Sequence, residues 1–306
     1  MTQPQTVHPI TDKKQNNTAT RIISVLCAIL LLAALICTAF VHTTAKTVFS
    51  PAIDTAIRSV SIYETIETAL GFSFEDKINE MIPDELQPFI TVDLSGFRKI
   101  IDSEPVYAFV TEKAHDYLSA IRDGTDNAVT ADEVSALLLS IMEEQFHTMF
   151  PEILTPILLE GMSHLLQKVD YSGISTSALR EKAGNVLNAA HILLAPITKT
   201  VLIAVCAMLV LLILLINGRA IGFSLCALGI PSLFCALALR LPELLFPSIQ
   251  RALDADVLPW LTVAAPITDA MFLSLSDISR IALLAGVILL VLGIAVSVIT
   301  RCRLAT

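Results

Sequence analysis

The sequence lacks the short motifs by which catalytic and cofactor sites are usually recognised. It has no Gly-x-Ser-x-Gly elbow, no His-Glu-x-x-His, no phosphate-binding glycine loop and no Cys-x-x-Cys pair. Charged residues are scarce, at 16% of 306 residues, whereas 54% are hydrophobic and the mean hydropathy is +0.71. We therefore expect no enzyme, no cofactor and no metal site, and we expect long apolar segments.

Four stretches are long and apolar enough to cross roughly 30 Å of hydrocarbon, which takes about 20 helical residues. They are predicted at about 22–42, 197–216, 221–239 and 281–300. The run from Ile22 to Val41 has no ionisable side chain, and Lys199 lies in the first turn of the second stretch. The first run exceeds the roughly 7 to 15 residues of a signal peptide, so we predict an uncleaved anchor.

Basic residues at the ends of the spans predict their orientation. The segments 1–21, 217–220 and 301–306 together hold a single acid, Asp12, and six basic residues: Lys13, Lys14, Arg21, Arg219, Arg301 and Arg303. The remaining segments hold 14 basic and 28 acidic residues, a net charge of −14. Cytoplasmic loops of membrane proteins are enriched in Lys and Arg. Both termini are therefore predicted in the cytoplasm, and the acidic segments outside the plasma membrane.

Cysteine is absent from both segments predicted outside. All six cysteines lie in predicted spans or in the C-terminal tail: Cys27, Cys37, Cys206, Cys226, Cys235 and Cys302. The large outer domain is therefore held together by packing rather than by disulfides. The predicted organisation begins with a disordered tail at 1–20, a span at 21–42 and the helical outer domain at 43–195. Two spans follow at 196–216 and 221–240, and then the amphipathic outer loop at 241–279, a span at 280–300 and a short tail at 301–306.

Apolar residues at three- and four-residue steps predict an all-α domain at 43–195. We expect the first helix to continue past Pro51 and a helix from about Ala178 to run directly into the second span. Thr130 to Glu133 has the spacing of a capping box, which predicts the start of a helix. Pro105 suits the first turn of another helix.

The segment 241–279 contains four prolines and the single tryptophan, Trp260, a residue that favours the membrane interface. It is predicted as an outer loop with amphipathic pieces. A fifth span at 257–275 would place Asp269 in the membrane and move the basic C-terminal tail to the outer side. A fifth span is therefore rejected.

Three groups of polar residues were weighed as metal sites. The segment 123–134 resembles a calcium loop in length, but Ala128 and Val134 stand where that loop needs Gly and Glu. Glu144 and His147 match half of a di-iron motif, and Glu160 lies one turn from His164, but a second Glu-x-x-His is missing. A turn explains the segment 123–134 better than a calcium site does, and the solvent-exposed faces of helices explain the Glu and His residues better than a metal site does.

Small residues in the spans predict close helix packing. The fourth span carries Ala282, Gly286, Gly293 and Ser297 near one face, which can seat a neighbouring helix. Gly222, Gly229 and Pro231 are expected to bend the third span.

The helices predicted within 134–169 have wide apolar faces. Two interpretations remain open: the centre of the outer domain, or a groove for a lipid or a partner helix. The partners predicted from the sequence are the lipid bilayer and such an occupant of 134–169. Nucleic acid is excluded by the acidity of the accessible domain.

These features favour a non-enzymatic envelope protein acting as an interaction, scaffold or sensory module. A lipid-handling protein is one alternative. Another follows from the order of spans and outer segments, which is similar to that of four-span permeases of mechanotransmission-type ABC systems. That resemblance is topological and implies an ATPase gripped between the second and third spans, where this chain has four residues, 217–220.

Overall fold

The computed structural model describes residues 11–70, 73, 98–99, 101–145, 175–218, 220–252 and 258–305. These residues form nine helices and no strand, with one isolated antiparallel bridge between Ala128 and Ser175. The helices are α1 Thr11–Val48, α2 Pro51–Arg58, α3 Ile62–Leu70, α4 Glu104–Asp123, α5 Ala131–Gln145, α6 Thr176–Leu194, α7 Pro196–Ile216, α8 Ile221–Ala252 and α9 Leu258–Ala305. The all-α prediction is confirmed for this part of the chain.

Four of these helices are long and apolar enough to span a membrane, as predicted. The segments that qualify are Thr20–Val48, Pro196–Ile216, Ile221–Ser248 and Ala264–Thr300. Three of them are longer than their sequence predictions. Residues 264–275, in the segment considered for a fifth span, belong to the same helix as the fourth.

Two prolines separate helices that were expected to be continuous. Ser50 is extended at φ −101° and ψ 163°, and its hydroxyl accepts a hydrogen bond from the N–H of Ala52, so a new helix begins at Pro51. Ala195 is likewise extended, between the end of α6 at Leu194 and Pro196. A residue that precedes proline is sterically disfavoured in the α region. The predictions of continuous helices through Pro51 and into the second span are wrong for this reason.

Other prolines lie inside long helices. Pro231, Pro242 and Pro247 lie within α8, and Pro266 lies within α9. Much of the predicted loop 241–279 is thus helical, as an extension of the third and fourth spans. The N-terminal helix also begins at Thr11, so residues 11–20 of the predicted disordered tail are helical.

The chain divides into two compact units. The span unit comprises Met1–Ala45, Pro196–Asp254 and Ala270–Thr306, and the helical unit comprises Lys46–Ala195 and Ala255–Asp269. Two buried clusters form the core of the span unit. The first joins α1, α7 and α8 through residues including Leu31, Ile213 and Leu228. The second joins α1, α8 and α9 through Ala39, Cys235, Leu239 and Leu275.

Helices α8 and α9 pack through a seam of small residues at seven-residue spacing. A Cβ atom on Gly222 would lie 2.7 Å from the carbonyl oxygen of Gly293, and one on Gly229 would lie 3.0 Å from that of Gly286. The hydroxyl of Ser279 donates to the carbonyl of Ala236 at 2.9 Å. The predicted seat for a neighbouring helix on the fourth span is therefore confirmed at both glycines.

The helical unit is held by contacts between successive helices. The phenol of Tyr107 on α4 donates to the carbonyl of Val60 at 2.7 Å, next to the start of α3. Asp102 accepts hydrogen bonds from the Ser61 hydroxyl and the Tyr63 N–H. His191 on α6 contacts the carbonyl of Ile121 through Nδ1 at 2.8 Å. These contacts join α3, α4 and α6.

Candidate functional site

The residues considered as a calcium loop end a helix and make hydrogen bonds within the protein. Gly124 ends α4 in the left-handed conformation, at φ 70°. Asp126 accepts hydrogen bonds from the Thr176 hydroxyl and from the Ser177 N–H, the latter at 2.8 Å. The Thr176 hydroxyl and then Ser177 hold the pKa of the Asp126 carboxyl below its ordinary value. The hydrogen bonds of this loop connect the end of α4 to the start of α6, so its side chains stabilise the fold.

The capping box predicted before α5 is present. The Thr130 hydroxyl accepts from the Glu133 N–H at 3.3 Å, and the Glu133 carboxylate accepts from the Thr130 N–H at 2.9 Å. The same carboxylate pairs with Lys113 on α4. The Lys113 ammonium, followed by the Thr130 N–H, lowers the pKa of Glu133. Glu133 thus starts α5 and ties it to α4.

The other sequence candidates lie mainly outside the described residues. His147, Glu160 and His164 are not described, nor is the side chain of Glu144. Of the apolar region 134–169, only the part within α5 is described. Within the part of the chain that is described, no group of three His, Cys, Asp or Glu side chains has the arrangement of a metal site.

The span unit contains a polar cavity of about 860 Å³ at the end of α7 and the start of α8. It is lined by all four long helices, with Arg21 from α1, Asn217 after α7, Gly222 from α8 and Thr300 from α9 among its residues. Among the described residues that line it, Arg21 is the one with a charged side chain, and it is exposed. No ion pair among the described residues involves Arg21.

A buried amide fixes one wall of this polar cavity. Asn217 is 7% exposed and Ser24 is fully buried. The Asn217 side-chain nitrogen donates to the Ser24 hydroxyl at 2.8 Å and to the carbonyl of Ile213 at 2.9 Å. The contact joins α1 to the end of α7, and a buried polar group needs such a partner.

The first backbone N–H groups of α8 lie at the polar cavity. The N–H groups of Phe223 and Ser224 donate to the carbonyl of Ala220. In the described part of the chain, those of Ile221 and Gly222 make no backbone hydrogen bond. The first N–H groups of a helix carry a partial positive charge that favours anions.

An apolar groove of about 400 Å³ adjoins the polar cavity, between α1 and α8. Phe223 and Cys226 line both spaces. On α1 the groove extends from Ser24 to Leu32, and on α8 it extends to Phe234. Among its described lining residues the one hydroxyl is that of Ser24, which already accepts a hydrogen bond from the Asn217 amide. The lining is therefore suited to hydrocarbon.

Sequence reasoning missed this arrangement. Ser24 lies in an apolar run, and Asn217 was read only as part of the link between spans. A polar residue inside such a run, together with an amide at the end of another span, is the signal that was present. Which two helices they join depends on the packing of the bundle, which one sequence does not give.

The four candidate spans indicate a multi-pass membrane protein, and its described residues are all-helical. No protein-family model, curated protein or solved structure matches the chain.

Proposed function

We propose that this is a non-enzymatic plasma-membrane protein whose helical unit lies outside the cytoplasm and serves as an interaction module. The observation that carries the proposal is the division of charge along the sequence. The segments 1–21, 217–220 and 301–306 have a net charge of +5, and the rest of the chain has −14. This division follows the positive-inside rule at every turn of a four-span chain.

The use of polar side chains in the helical unit supports a role in interaction rather than catalysis. Asp102, Asp126 and Glu133 each stabilise the start of a helix. Arg58 pairs with Glu104 and lowers the pKa of that carboxyl by hydrogen bonding. Groups used in this way hold the helices in register and leave an acidic surface for basic or cation-bridged partners.

A subunit of a transport-like complex is the second candidate. The order of spans and segments favours it, because it is similar to that of four-span permeases. The four-residue link at 217–220 argues against a gripped ATPase. Apart from His42 and Lys199 near their ends, the spans predicted at 22–42, 197–216, 221–239 and 281–300 also lack the ionisable residues that ion pathways generally use. Copurification of the full chain from its native membrane distinguishes the candidates, since an ATPase partner would favour transport and an envelope protein would favour the interaction module.

The orientation is tested by labelling single cysteines on intact cells with a membrane-impermeant maleimide. We expect Glu181→Cys, in a chain without the six native cysteines, to react before permeabilisation. The matched control retains only Cys302, which is exposed and predicted inside, and it should react only after permeabilisation. The reverse pattern would rule out the proposed topology, and with it an interaction module outside the cell.

A further inference from the structure

The polar cavity and the apolar groove form one amphipathic space. They share Phe223 and Cys226, and one leads from the other along α1 and α8. The polar end contains Arg21 and the start of α8, whereas the apolar end extends between two spans. The groove covers eight residue steps of α1, or about 12 Å at 1.5 Å per residue. Such a space is suited to a molecule with one polar and one apolar end.

The charge of the polar end selects the sign of the ligand. The hydroxyls of Ser297 and Thr300 donate to carbonyls of their own helix, at 2.8 and 2.7 Å. The Arg21 guanidinium and the N–H groups of Ile221 and Gly222 line the same end and have no hydrogen bond to another described residue. No carboxylate is among the lining residues that the structure describes. Guanidinium and backbone N–H groups at a helix start are groups that bind phosphate.

The apolar end favours a lipid over a free anion. Ile29 is 57% exposed and Phe234 is 56% exposed, so the groove opens to the surroundings of the spans. A free phosphate would leave this groove without an occupant. An acyl chain of a membrane lipid fills it, because the groove opens to the hydrocarbon that surrounds the spans.

We propose that an anionic phospholipid binds in this space, with its phosphate at Arg21 and the start of α8 and an acyl chain between α1 and α8. Basic pockets between spanning helices are general sites for anionic headgroups. The proposal holds whichever end of the bundle faces the cytoplasm, so it is independent of the function proposed above. It assigns the cavity a structural or regulatory lipid rather than a substrate.

The test is native mass spectrometry of the delipidated full chain titrated with phosphatidylglycerol or with phosphatidylcholine of the same acyl chains. We expect a preference of at least about fivefold for phosphatidylglycerol, and we expect Arg21→Gln to abolish it. Lys46→Gln, which removes an exposed charge near the other end of α1, is the matched control and should keep the preference. Equal binding of both lipids by the wild type, or an unchanged preference in Arg21→Gln, would refute the headgroup site.

The groove is tested separately with Ala28→Phe, which places a ring in it, and with Ala33→Phe, which places the ring on an exposed position of the same helix. We expect Ala28→Phe alone to weaken both lipids. A readout without mutation is the acyl length: dihexanoyl phosphatidylglycerol should bind the wild type more weakly than the long-chain lipid. Equal binding of the two lengths, or displacement of the long-chain lipid by excess inorganic phosphate, would show a free-anion site and refute the lipid proposal.

Discussion

The contact between Ser24 and Asn217 shows how a single polar pair can fix two spans. Both residues are almost completely buried, and the amide donates to the hydroxyl at 2.8 Å. A hydrogen bond between spanning helices contributes about 0.6 to 2 kcal/mol, a modest value because the same polar groups also find partners in the unfolded state. The position of α7 against α1 therefore depends in part on this pair.

We expect Ser24→Ala to lower the free energy of unfolding by about 1 kcal/mol, measured by thermal unfolding of the full chain in detergent. Thr300→Ala is the control, because that hydroxyl is exposed and bonds only within α9. In a double-mutant cycle with Asn217→Leu, the two effects should not add. Strict additivity would mean that the hydrogen bond contributes nothing.

Single residues also mark the limit of sequence reasoning. The pairing of Thr130 with Glu133 was predictable because a capping box is a local pattern of four residues. The pairing of Ser24 with Asn217 was not, because it joins positions 193 residues apart. The sequence identified the spans as apolar and the glycine face of the fourth span as a helix contact, but it did not show that α1 meets the end of α7.

At the scale of elements, proline has two outcomes in this chain. Before Pro51 and Pro196 the chain leaves the helix, and an extended residue separates two helices. At Pro231 and Pro266 the helix continues. Spanning helices tolerate proline because neighbouring helices and side chains satisfy the freed backbone groups. The local sequence around each proline did not distinguish these cases, and the predicted bounds of the third and fourth spans were too short as a result.

The seam between α8 and α9 gives a prediction at this scale. Gly229→Ala would place a methyl group 3.0 Å from the backbone of Gly286, so the two helices would have to separate. We expect destabilisation of about 1 to 3 kcal/mol in detergent, as for overpacked cores. Gly184→Ala in α6 is the matched control, since nothing lies within 4 Å of the added methyl group. Equal effects of the two substitutions would contradict close packing at the seam.

The link between α4 and α5 predicts a dependence on pH. Lys113 lowers the pKa of Glu133, so the pair stabilises the folded state above the ordinary glutamate pKa of about 4.3 and loses its effect as the pH falls through the lower, folded-state value. We expect Glu133→Gln to be less stable than the wild type at pH 7, by less than about 1 kcal/mol because the carboxylate is partly exposed.

This difference in unfolding midpoint should shrink at acidic pH. Glu181→Gln, at an exposed position of α6, serves as the control and should not show the same convergence. A difference between Glu133→Gln and the wild type that stays constant down to pH 3 would exclude the ion pair as its cause.

At the scale of the whole molecule, the exposed apolar surface is the dominant property. Large side chains along all four spans are exposed, and in α7 and in α9 only 11% of the apolar segment is buried. A soluble monomer rarely exposes contiguous apolar patches above a few hundred Å². Hydrocarbon is therefore the solvent for these faces, as the composition of the sequence already indicated.

We expect the full chain to stay in the membrane pellet after washing with alkaline carbonate and to require detergent for extraction. A peripheral protein of similar charge should appear in the supernatant under the same conditions. Release of the full chain without detergent would contradict the membrane-spanning interpretation of all four helices.

The glycine seam also fixes one wall of the polar cavity. Gly222 and Ser297 belong to the seam and to the lining, so this wall is made of two backbones already in contact. Helix α7, by contrast, buries few of its side chains, Leu209 and Ile213 among them. A displacement of α7 away from α1 would break the hydrogen bond between Asn217 and Ser24. That bond therefore holds the α7 side of the cavity, whereas the paired glycines hold the side formed by α8 and α9.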